Sequence, residues 1–111
     1  MIPVSTFVGL ALTAALGGSV ALASSSETNR SSEQIYVERC AFCHSRGGWG
    51  TRTLARRLPE NEAVLLDRAD LPPAYTTFVV RYGVGAMPQF NPSELTDAEL
   101  EELSRWLEDR N

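Results

Sequence analysis

Cys40-Ala41-Phe42-Cys43-His44 contains both cysteines and the only histidine of the 111-residue chain. That concentration constrains the fold more than any other feature. No Cys or His is left elsewhere to complete a zinc site, a second dithiol or a His-dependent triad. The thiol and imidazole chemistry of the chain is confined to five consecutive residues, and the rest must pack around them.

The pattern is Cys-x-x-Cys-His, the attachment signature of a c-type haem. Two thiols three residues apart can form thioether links to the two vinyl groups of one haem. The adjacent His44 then offers an imidazole nitrogen as the proximal iron ligand. Three other uses compete. A thioredoxin-like dithiol wants a βαβ context, which the sequence does not offer. A closed structural zinc site needs four ligands, and Cys40, Cys43 and His44 are three. A disulfide within the loop is open to an exported chain. Attachment of one covalent haem c is the reading adopted.

The other face of the iron is approached by elimination. There is no lysine, and methionine occurs only at Met1 and Met87. Met1 falls in a segment expected to be removed, which leaves Met87 in Gly83-Val84-Gly85-Ala86-Met87-Pro88-Gln89-Phe90. The glycines let backbone approach a flat cofactor. Pro88 pushes Met87 toward extended geometry. A thioether is a soft neutral ligand that raises the haem potential. Ordinary core packing is the competing role for Met87, and an open or water-bound sixth position is the remaining one.

Residues 1–23 carry no charged side chain, and Ala21-Leu22-Ala23 ahead of Ser24 has the small-x-small form of a signal-peptide cleavage site. The absence of Lys or Arg before the apolar run does not fit that pattern. An uncleaved membrane anchor is the alternative, because the run is long enough to span a bilayer. Either way the haem domain is expected outside the cytoplasm, periplasmic or extracytoplasmic. Residues 24–32 read as a flexible, Ser-rich tail and 33–111 as the haem domain. About 80 ordered residues make a small core, and a bound porphyrin would supply an apolar plate for short helices to pack against.

The helical pattern is read from caps and breakers. Ser31 with Gln34 forms a capping box that opens a helix running to about Cys40. Residues 45–58 read as a glycine- and arginine-rich loop with at most one turn. Pro59 starts a short helix through Leu65-Leu66. Pro72-Pro73 opens a helix that continues to Tyr82 and stops at Gly83. Thr96 with Glu99 is a second capping box. The helix it opens places Leu100, Leu103, Trp106 and Leu107 on one face. No alternating strand pattern occurs, so the fold class is all-α, three to five helices around one haem. Tyr36 and Trp106 are expected to form the contact that crosses the terminal helices, with lining of the haem pocket as the alternative. Trp49 could shield the haem, bond a propionate or dock a partner.

The net charge of −4 is unevenly spread. Between 39 and 57 lie Arg39, Arg46, Arg52, Arg56 and Arg57 without an acidic residue; from Glu94 to Asp109 seven acidic residues accompany one arginine. A basic group around a redox centre would steer an acidic partner, chiefly through the on-rate. The same charges could instead only solvate the face or bind propionates. An acidic, exported chain is a poor nucleic-acid binder, and no such partner is expected.

These residues resemble class I cytochromes c over nearly the whole ordered domain: a helix leading into Cys40-x-x-Cys43-His44, helices around the haem, Ala86-Met87-Pro88, and an aromatic-bearing last helix. The resemblance implies a small electron carrier, not an enzyme by itself, with Cys40 and Cys43 holding haem, His44 proximal and Met87 distal. It departs at the proline whose carbonyl orients the imidazole; Pro59, fifteen residues on, is the nearest candidate. Asp70-Leu71-Pro72-Pro73-Ala74-Tyr75, Val80-Arg81-Tyr82-Gly83 and Ala86-Met87-Pro88-Gln89-Phe90 are similar to the cytochrome subunit of p-cresol methylhydroxylase and related alkylphenol-oxidising flavocytochromes. That similarity implies a flavoprotein partner that passes electrons one at a time. A free shuttle to a terminal oxidase and a haem enzyme or gas sensor with a labile sixth ligand are the alternatives.

Overall fold

The computed structural model describes residues 30–110. The expected leader 1–23 and residues 24–29 of the expected tail lie outside the described residues. The first helix begins as its cap predicts. Gln34 N–H donates to Ser31 Oγ at 3.2 Å and Ser31 N–H donates to Gln34 Oε1 at 2.9 Å. Ser32 is therefore already helical.

Helix α1 spans residues 32–44 in three consecutive segments: α-helical Ser32–Ile35, π-helical Tyr36–Cys40 and α-helical Ala41–His44. The middle segment widens the turn, with Ala41 N–H donating to the Tyr36 carbonyl. Ile35 and Tyr36 are buried, and Cys40 and Ala41, five residues on, pack against the same core. Arg39, four residues after Ile35, stays exposed. The sequence pattern gives no sign of this extra residue in the turn, because hydrogen-bond register leaves no compositional trace.

Residues 45–58 hold more structure than the expected loop: α2 covers Trp49–Leu54. It forms because its start is pressed against the end of α1. A Cβ on Gly48 or Gly50 would lie 2.4 Å or 2.9 Å from the Cys43 carbonyl oxygen, so only glycine fits at either position. The expected helix from Pro59 through Leu66 is broken in two. Helix α3 is Glu60–Ala63, Val64 turns extended and buried, and a 3-10 turn follows over Leu65–Asp67. A β-branched residue loses little by leaving the helix when its side chain goes inward.

Helix α4, Pro73–Tyr82, starts on its proline and ends at Gly83, whose φ of 72° and ψ of 166° are open essentially to glycine alone. Helix α5, Asp97–Asp109, carries the second capping box: Glu99 N–H donates to Thr96 Oγ1 at 3.2 Å and Thr96 N–H to Glu99 Oε2 at 2.9 Å. Leu100, Leu103 and Leu107 of α5 are buried against Ile35 and Tyr36 of α1 and Leu71 and Val80 near and on α4, with Trp106 at the margin. Tyr36 and Trp106 meet with ring centroids 5.9 Å apart, the expected crossing contact. Arg30 adds a polar tie, donating to both carboxylate oxygens of Glu99 at 2.9 Å and 3.1 Å. The fold is all-α, five helices and no strand among the described residues. The sheet-like pairing seen there is one isolated bridge between Val84 and Met87.

Candidate functional site

Cys40, Cys43 and His44 are three and four residues apart at the end of α1, a spacing that sets them on one helical face. All three are half-buried, whereas Phe42 between them is 90% exposed. Both thiols are free. Burial pushes the Cys40 thiol up to about 11, so it is a neutral group packed at the core edge. A thioether in its place has no charge to desolvate and suits that position without penalty. Burial also lowers the pKa of His44, which favours the neutral imidazole that binds metals.

His44 Nδ1 is buried without a hydrogen-bond partner. Pro59 does not supply one. Its carbonyl accepts from Glu62 N–H at 2.9 Å and Ala63 N–H at 3.1 Å, opening α3. The segment behind the histidine is fixed in other ways. Ser45 Oγ donates to the Ala41 carbonyl at 2.6 Å, and Thr51 Oγ1 donates to the Ser45 carbonyl at 2.8 Å. Thr51, buried on α2, thus ties the chain leaving His44 to the helix that backs it. Sequence reasoning missed Thr51; its signal is only its place between two close-packed glycines and an arginine.

Met87 comes to the core from the far side of the chain. It is half-buried against the same apolar cluster that Cys40 borders. Its turn is closed by Met87 N–H donating to Val84 C=O at 2.9 Å and Val84 N–H to Met87 C=O at 3.2 Å. Gly83 and Gly85 supply the positive φ values of 72° and 57° that the turn requires. A Cβ on Gly83 would stand 2.7 Å from the Met87 carbonyl oxygen. The structure packs Cys40, near the end of α1, and Met87, on the α4–α5 connection, against one apolar core, while Cys43 and His44 are half-buried beside Cys40 on α1.

Several large apolar side chains within five residues of these positions in sequence lie open: Phe42, Trp49 at 52% exposure, Tyr82 and Val84. Arg39, Arg52, Arg56 and Arg57 are exposed, and their side chains make no hydrogen bond or ion pair among the described residues, whereas Arg46 pairs with Asp67 at 2.6 Å. No helix of the described residues is long and apolar enough to cross a membrane.

A c-type haem fits these residues. Two unpaired thiols share a face with an imidazole whose buried nitrogen lacks a partner, and a soft sulfur donor packs at the same core. The model of the family described as cytochrome C oxidase, cbb3-type, subunit III matches residues 27–107. The chain belongs to that family. It is a c-type cytochrome with covalently bound haem c, and its role is electron transfer. Neither a curated protein nor a solved structure matches it.

Proposed function

We propose that Cys40 and Cys43 hold one haem c through thioethers, that His44 and Met87 are its axial ligands, and that this cytochrome hands single electrons to a terminal oxidase outside the cytoplasm. When bound, the haem supplies one-electron exchange between ferric and ferrous iron. The residues do the rest. The end of α1 presents two thiols and an imidazole on one face, α2 braces that segment through Thr51, and the Val84–Met87 turn delivers a thioether against the same core. The observation that carries the reading is this convergence of Cys40 and Met87 on one apolar cluster from separate elements. With Met87 as sixth ligand no position is left for a substrate, which favours outer-sphere transfer over catalysis. Met87→Ala should lower the reduction potential and open the ferrous protein to carbon monoxide; an unchanged spectrum and potential would remove Met87 from the iron.

The oxidase assignment takes its support from the family, which is described as an oxidase subunit. The flavoprotein reading rests on the resemblance of Asp70 to Tyr75 and Val80 to Gly83 and draws nothing from the family match. Isolation of the untagged protein separates the two. Co-purification with a haem–copper oxidase supports the first, and co-purification with a flavoprotein replaces it with the second. The same preparation tests processing. A protein beginning at Ser24 supports an exported domain of residues 33–111 behind a short tail, and retention of residues 1–23 supports a membrane anchor.

A further inference from the structure

We infer that Arg81 is the positioning residue that holds Met87 in place, acting as a clamp on the connection between α4 and α5. The inference rests on Met87 as an axial ligand. Arg81 lies in the last turn of α4, and its side chain is 16% exposed. Its guanidinium engages three acceptors on the connection and the helix beyond it. Nη1 donates to the Phe90 carbonyl at 2.9 Å, and Nη2 donates to the Leu95 carbonyl at 2.9 Å and to Asp97 Oδ1 at 2.6 Å. The planar fork presents two separate nitrogens to two carbonyls, a fixed geometry that the point-like ammonium of a lysine does not reproduce.

The position of Met87 between two anchors gives the clamp its purpose. Upstream, Gly83 N–H donates to the Val79 carbonyl at 2.8 Å. Downstream, Phe90 N–H donates to the Val80 carbonyl at 2.8 Å, and Arg81 takes the Phe90 carbonyl. Residues 83–90 are thus a short loop whose two ends are bonded to Val79, Val80 and Arg81, three consecutive residues of α4. The local Val84–Met87 bridge shapes the turn but does not tie it to the helix. A half-buried cation with its acceptors removed is costly, so Arg81 resists release of the loop. Asp97, in the first turn of α5, balances its charge at a helix end that favours a carboxylate.

The test uses the haem-loaded full chain with Arg81→Lys, which keeps the charge and loses the fork. Met87→Ala serves as the reference for complete loss of sulfur ligation. Arg81→Lys should weaken the long-wavelength absorption band of thioether-bound ferric haem and speed carbon monoxide binding to the ferrous protein about tenfold, at unchanged helicity. A folded Arg81→Lys protein with an undiminished band and an unchanged rate overturns the inference, provided Met87→Ala abolishes the band. If Met87→Ala also leaves both unchanged, the ligand reading fails and the clamp falls with it. If Arg81→Lys does not fold, proton exchange at the Arg81 guanidinium of the unmodified holoprotein decides: slow exchange upholds the clamp, and exchange as fast as at exposed Arg56 overturns it.

Discussion

The amide of Ala41 donates to the carbonyl of Tyr36, five residues back rather than four. This single wide turn sets which side of α1 the cysteines share. It puts Cys40 and Ala41 on the side already defined by buried Ile35 and Tyr36, and turns Arg39 outward. A π-turn is one residue more than an α-helix needs, so removing one residue should restore a regular helix with Cys40 four positions after Ile35, on the same face. Val37 is 64% exposed and is the residue to remove. Its deletion should leave haem attachment intact and change stability by no more than about 1 kcal/mol. Insertion of an alanine beside it should rotate the attachment face by about 100° and abolish attachment. Haem content of purified protein checks both, and failure of attachment in the deletion variant would contradict the role given to the wide turn.

Gly83 and Met87 are coupled through the backbone. The glycine φ of 72° belongs to a region L-residues avoid, and its missing Cβ makes room for the Met87 carbonyl. Gly83→Ala should therefore cost about 1–3 kcal/mol and displace the methionine turn at the same time. Gly85 has a φ of 57° but open space where a Cβ would go, so Gly85→Asn should be nearly silent. Thermal melts and carbon monoxide binding to both holoproteins test the contrast; equal behaviour of the two variants would count against the close approach at Gly83.

Much of this arrangement is legible in the chain because it depends on local chemistry. Both capping boxes form as their residues indicate, Gly83 ends its helix, and Leu100, Leu103 and Leu107 make the buried face. The candidate site residues stand out in the sequence because the chain has so few Cys, His and Met. What escapes is set by tertiary contact. Helix α2 exists through glycines packed on the Cys43 carbonyl, a pressure that propensity does not register. The fork of Arg81 reaches carbonyls nine and fourteen residues away, and Arg30 meets Glu99 across 69 residues. An arginine in a sequence does not show which of its acceptors folding will bring.

The Arg30–Glu99 pair predicts how the domain responds to acid. Glu99 holds two roles at once, receiving Arg30 and closing the Thr96 cap. The Arg30 guanidinium, followed by the Thr96 bonds, depresses the Glu99 carboxyl from its ordinary 4.5 to about 2, against a desolvation cost. A depressed folded-state pKa gives stability that is fully present above 4.5 and is lost as pH falls toward 2. The melting temperature should decline through that window, and Glu99→Gln should flatten the decline while costing about 1–2 kcal/mol at neutral pH. Identical acid melting profiles for the two proteins would assign the acid sensitivity to other carboxylates.

The unpaired arginines predict the electrostatics of electron entry. Arg52, Arg56 and Arg57 lie on and just beyond α2, the helix that backs the Cys43 carbonyl, and none is neutralised by a partner among the described residues. The acidic residues of α5 are partly taken up internally: Glu99 by Arg30, Asp97 by Arg81 and Glu101 by Arg105. The field near the attachment segment should therefore be positive although the chain as a whole is acidic. Photoreduced flavin mononucleotide carries a phosphate charge, whereas lumiflavin has none. Reduction of the ferric protein by the former should slow about tenfold between low and high salt, and reduction by the latter should not change. The triple variant Arg52→Gln/Arg56→Gln/Arg57→Gln should remove most of the salt dependence, while Arg105→Gln should leave it. A salt-independent rate with flavin mononucleotide would mean that these arginines only solvate their face.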